Sequence, residues 1–136
     1  MACWLVKSDP ETYGFADLER DRKTVWDGVS NALALQHLRR VRKGDWVLVY
    51  HSGAEKAIVG IAKAASDAYA DPKADDTKLA VFEMQAVKRL KKPVSLGDIK
   101  SDAAFAGFEL VRMSRLSVMP VPMALYARLT KMGGEA

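Results

Sequence analysis

Four short segments of this chain gather side chains that could hold a polar, planar ligand: Lys7-Ser8-Asp9-Pro10, Trp26-Asp27-Gly28-Val29-Ser30-Asn31, Tyr50-His51-Ser52 and Arg115-Leu116-Ser117. Each places hydrogen-bonding or aromatic groups at the edge of a predicted element, where a rigid sheet can present them to solvent. If the four meet, they form a concave site with aromatic walls from Trp26 and Tyr50, neutral hydrogen-bonding groups from Ser8, Asn31, Ser52 and Ser117, and a cation at Arg115. Such a site suits a planar heterocycle. Stacking a base on aromatic faces is worth about 1–3 kcal/mol, and Asn or Ser reads its edge without burying a charge.

Catalytic chemistry has less support. His51 and Ser52 are neighbours on a predicted strand, so their side chains point to opposite faces and do not form a nucleophile and base pair. With only two histidines, His37 and His51, and scattered carboxylates, no metal-ligand spacing is present, and no cofactor is expected. No GxGxxG or GxxxxGK[ST] run follows a strand, which removes the usual nucleotide-phosphate cradles. The single cysteine, Cys3, lies in an apolar strand and is expected to be buried and inert.

The elements that must position these residues read as follows. Cys3-Trp4-Leu5-Val6 is a short β run closed by Pro10, and Phe15 to Arg20 can form a helical turn. Ser30 or Asn31 can cap a helix over 32–42. Trp46 to Tyr50 is an apolar strand launched by Lys43-Gly44-Asp45, and Ala57 to Ala65 is a second strand with Gly60 marking a bend. A polar loop over 67–78 leads to the alternating strand Val81 to Val87. The run Lys88-Arg89-Leu90-Lys91-Lys92 then reads either as a solvated edge or as phosphate contacts at Lys88, Arg89, Lys91 and Lys92. Ser95 can cap a short helix over 96–101, Arg115 to Val118 is a late strand ended by Pro120 and Pro122, and a final helix runs from about Pro122 to Met132 before Gly133-Gly134. Short strands at mixed spacing with several short helices predict an α+β fold on one antiparallel sheet that can curl into a small barrel.

At 136 residues and 49% apolar content, the chain is expected to fold as one domain, 1–136, with a single core. The net charge of +4 allows an anionic partner without requiring one. One cysteine excludes an internal disulfide scaffold, and no apolar stretch approaches the roughly 20 residues of a membrane helix, so a cytoplasmic monomer with no membrane contact is expected.

The same segments carry a resemblance. Trp4 to Pro10, Trp26-Asp27-Gly28-Val29, Gly44-Asp45 leading to Tyr50-His51-Ser52, Ile58-Val59-Gly60-Ile61, Pro93-Val94, and Arg115 to Val118 before Pro120-Val121 together resemble the EVE domain family, nearly end to end. The resemblance implies a PUA-like, mainly antiparallel β-barrel with flanking short helices, related to YTH and ASCH modules. It further implies a pocket for a flipped, modified base, such as a methylated cytosine or adenine, in DNA or RNA. By motif, Lys7, Ser8, Trp26, Asn31, Tyr50, His51, Ser52, Arg115 and Ser117 would line or support that pocket. Two departures stand out: Asp9 occupies a position commonly held by Glu, and Ser30, Ala32 and Leu35 follow Gly28-Val29 where eukaryotic members carry arginines and an aromatic. The expected function is a non-enzymatic reader of a modified base. An enzyme acting on modified nucleic acid or a small heterocycle is the alternative, and a purely structural partner protein is a third possibility.

Overall fold

A computed structural model describes residues 1–74 and 78–135; the expected polar loop therefore lies partly outside the described residues. Strand β1 (Cys3–Ser8) is buried through Val6 and ends where Asp9 turns extended (φ −80°, ψ 115°). Asp9 accepts from the Glu11 N–H and opens the single turn α1 (Pro10–Tyr13), with Pro10 in the first turn, where its missing N–H costs nothing. Helix α2 (Phe15–Asp21) and strand β2 (Lys23–Trp26) follow. Asn31 caps α3 (Ala32–Leu38) by accepting from the Ala34 N–H, and the helix stops four residues short of the expected Arg42.

Strands β3 (Trp46–His51), β4 (Ala57–Ala64), β5 (Tyr69–Ala70) and β6 (Ala80–Ser95) come next. The basic run Lys88 to Lys92 is thus the middle of a 16-residue strand rather than its end. Helix α4 (Leu96–Lys100), capped by Ser95, a 3-10 turn at Ala103–Phe105 and the turn α5 (Glu109–Arg112) lead to β7 (Val118–Pro120) and helix α6 (Met123–Met132). The late strand begins after Arg115 and contains Pro120 instead of ending before it. Val121 N–H donates to the Cys3 carbonyl, so by alternation the Pro120 nitrogen faces outward on an edge strand, where no donor is required.

The strand order β2-β6-β4-β3-β1-β7 forms one curled, mostly antiparallel sheet with β2 and β7 at its edges, and the short β5 pairs with β6. The exception to antiparallel pairing is β1 with β3, which run side by side from Cys3 opposite Trp46 to Ser8 opposite His51. This parallel register sets the polar ends of the two strands next to each other: Lys7 pairs with Tyr50 and Ser8 with His51. β6 shifts register twice against β4, between Ile58 and Gly60 and between Ile61 and Ala62, which bends the sheet around its core. Gly60 is required there: a Cβ at this position would sit 2.4 Å from the Phe15 ring.

The core is built from Leu5, Val6, Phe15, Leu38, Leu48, Ile58, Phe82, Met84, Phe105 and Met119, all fully enclosed. Cys3 is buried in it, and burial pushes its thiol up to about 12, in keeping with an inert side chain.

Candidate functional site

A pocket of about 550 Å³ opens where β1 gives way to α1, facing β2 and the loop after it. Its aromatic wall is Trp26, 9% exposed, with the Tyr13 ring set edge-on at 6.3 Å and 76°. Tyr13 is held there by its hydroxyl, which donates to Asp21 at 2.8 Å, and burial raises its pKa above the usual tyrosine value. Lys7, Ser8 and Ser117 contribute polar groups from the strand ends, and Thr12 and Thr24 add hydroxyl-bearing residues. The Ser8 hydroxyl donates to the Tyr13 carbonyl, which ties the end of β1 to the α1 turn and leaves the oxygen free to accept.

Two carboxylates border the pocket. Asp9 is engaged as the cap of α1 at 2.9 Å, whereas Asp27, among the described residues, has no hydrogen-bond or ion-pair partner. Gly28 lets the loop turn directly after Asp27 by adopting φ +78°, a conformation that a side chain would strain.

Tyr50 does not face Trp26. It lines a second cleft of about 300 Å³ together with Ser52, Gly53, Lys56, Lys100 and Ser114, and Lys7 lines both spaces. The Lys7 ammonium donates to the Ser114 carbonyl at 2.8 Å and lies 5.5 Å from the centre of the Tyr50 ring. The expected sandwich of Trp26 and Tyr50 is therefore replaced by Trp26 with Tyr13. The reason is the strand register: Lys7 and Tyr50 are partners on adjacent strands, so the lysine stem occupies the space over the tyrosine.

The other expected residues divide. Lys7, Ser8, Trp26 and Ser117 converge on the pocket, and Ser52, whose hydroxyl donates to the Ser8 carbonyl at 3.3 Å, belongs to the adjoining cleft. Asn31 is spent on capping α3 and borders a shallow depression shared with Arg112 and the exposed Arg115. His51 lies behind the site, 6% exposed: Nε2 accepts from the Phe15 N–H at 2.9 Å, and Nδ1 meets the Glu55 carboxylate at 2.7 Å.

Of the basic run, Lys88 pairs with Glu135, and Arg89 pairs with Glu19 at 2.6 Å while lying over the Phe15 ring. Lys91 and Lys92 are exposed, with main-chain bonds to Glu135 and Gly133. Sequence reasoning missed Tyr13, Thr24 and Asp27. Thr24 and Asp27 flank Trp26 closely enough to have been suspected, but nothing local to Tyr13 shows that α1 folds back onto β2.

Among the described residues no group of three or more His, Cys, Asp and Glu could hold a metal ion, and no helix is long and apolar enough to cross a membrane.

The sequence profile of the EVE domain matches residues 2–132. The chain belongs to the EVE domain family. A family structure from Rhodopseudomonas palustris, solved by NMR, is 38% identical and superposes with a TM-score of 0.93 over 98% of this chain and 94% of that one. The human THYN1 protein, solved in complex with 5-methylcytosine-containing DNA, is 25% identical with a TM-score of 0.87, covering 100% of this chain and 99% of that one. Rat thymocyte nuclear protein 1 is 29% identical over 87% of this chain and 67% of its own length.

One expectation is corrected by these relatives. The curated relatives of this EVE domain, from rat, human, mouse, zebrafish and chicken, all bear the name thymocyte nuclear protein 1, which overturns the cytoplasmic assignment. That assignment rested on the lone cysteine and on the lack of a membrane-length apolar stretch, and neither separates the cytosol from the nucleus, which share a reducing, aqueous environment.

Proposed function

We propose that this chain, as a single EVE module over 1–136, is a non-enzymatic reader that holds a flipped, modified cytosine of DNA in the pocket between Trp26 and Lys7. The observation that carries the reading is the pocket itself: about 550 Å³, within the roughly 300–1,000 Å³ of small-ligand sites, with one aromatic wall and polar groups of both signs at its rim. The DNA complex of the related human protein supplies the ligand class.

In this reading Trp26 stacks on the base and Tyr13 buttresses it. Asp27, which has no competing partner among the described residues, accepts from the exocyclic amine, a pairing that suits cytosine. Lys7, Ser8 and Ser117 address the opposite edge, His51 supports the frame, and Asn31 and Arg115 lie outside the pocket, at the depression they share with Arg112. Stacking worth about 1–3 kcal/mol offsets the few kcal/mol needed to extrude the base. Burying a methyl group adds only about 0.8 kcal/mol, about fourfold in affinity, so discrimination by the methyl alone is modest.

The test is titration of oligonucleotides that differ by one 5-methylcytosine, with product analysis. Saturable binding without turnover is expected, and Trp26→Ala should weaken it at least tenfold. Because Trp26 also packs into the core, Asp27→Asn is the companion variant: it keeps the fold and should lose preference for cytosine over thymine in the flipped position. Unchanged affinity in both variants, or formation of a product, overturns the reading.

A further inference from the structure

The cleft on the far side of Lys7 has a composition the base pocket does not explain. Lys7, Lys56 and Lys100 line it together with Ser52 and Ser114, and among the described residues no carboxylate does. Among the described residues neither Lys56 nor Lys100 has an acidic partner. The neighbouring acid Glu55 is turned away to the His51 ring. Lys7 is half-buried, with only the Ser114 carbonyl and the Tyr50 face as neutral partners, and desolvation holds its ammonium below the usual lysine range.

Three ammonium groups in one concavity without a counter-charge repel each other, so the arrangement is stabilised by an anion that enters. Two features hold the cleft open in this form. The 51–56 turn is fixed by Gly53 at φ +77° and Lys56 at φ +47°, and the Lys56 carbonyl accepts the Leu96 N–H at the start of α4, which brings Lys100 to the same side.

We propose that this cleft binds a phosphate of the nucleic-acid strand next to the flipped base, with Lys7 as the wall that couples phosphate and base. The inference rests on the reader function argued above, because it places the strand relative to that pocket. The basic run of β6, by contrast, has its two leading cations already neutralised by Glu135 and Glu19. The strand is therefore gripped at the β1 and β3 ends rather than along β6.

Lys56→Gln/Lys100→Gln tests this, since both side chains are exposed and the substitution keeps their length and polarity. Two measurements separate the sources of phosphate. In amide NMR titrations with inorganic phosphate, the wild type should show saturating shifts at Ser52, Gly53, Lys56 and Ser114 that the double variant loses. In oligonucleotide binding, the slope of log affinity against log salt should fall by about 0.7–0.9 in the double variant, the value for one phosphate contact, while binding of free 5-methyl-2′-deoxycytidine is unchanged.

Absent phosphate shifts overturn the cleft as an anion site. Phosphate shifts with an unchanged salt slope overturn the strand assignment and leave a site for a small phosphate-bearing ligand. A reduced slope with no preference for the methylated base sinks the reader function and leaves the cleft standing. Absence of oligonucleotide binding overturns both.

Discussion

Both nitrogens of the His51 imidazole are committed inside the protein: Nε2 accepts from the Phe15 N–H, and Nδ1 carries the proton toward Glu55. A residue type that suggests acid–base chemistry is thereby spent on fixing the first turn of α2 against the end of β3. His51→Ala leaves the buried Phe15 N–H unpaired, and stability should fall by about 1–3 kcal/mol, read from the denaturant midpoint at constant slope. An unchanged midpoint would show that water replaces the bond at no cost. Asn31 makes the same point on a smaller scale: its side-chain oxygen caps α3, a role legible in the sequence, and the cap leaves less of it for a ligand. Lys7 and Trp26, in contrast, were singled out in the sequence by type and position, because neither an apolar strand nor a glycine-terminated turn needs them there, and both line the pocket.

At the level of elements, the decisive contact is β1 alongside β3. Their parallel pairing requires the intervening chain, α1, α2, β2 and α3, to cross back over the sheet, and it is this crossover that delivers Tyr13 and Trp26 to one pocket. Local signals predicted a cap at Ser30 or Asn31, of which the structure uses Asn31, the cap at Ser95 and the final helix, because each depends on a few adjacent residues. They did not predict the length of β6, whose exposed Lys and Arg positions look like a strand end but pair with β4 through two register shifts. The same bend depends on Gly60. Gly60→Ala should destabilise the fold by about 1–3 kcal/mol through overpacking against Phe15, observed as a lower thermal midpoint, and a variant of wild-type stability would mean that the Phe15 ring moves aside freely.

Over the whole molecule, a net charge of +4 says little about where an anion docks, because ion pairing redistributes it. Lys88 and Arg89 pair with Glu135 and Glu19, partners 47 and 70 residues away in sequence, whereas among the described residues the lysines around the β1 and β3 ends have no acidic partner. Lys88→Gln/Arg89→Gln should therefore leave the salt slope of oligonucleotide binding unchanged, and a drop of about 1.4–1.8 would relocate the phosphates to β6. The α+β class, most of the strands, the family and the four segments that carry polar and aromatic groups are written in the amino-acid order, because patterning, caps and turn residues act over short distances. Which of those groups share a pocket follows from the three-dimensional packing. Register and crossover set Tyr13 beside Trp26, put Lys7 between two cavities and turned His51 inward, and these are long-range pairings that no local spacing encodes.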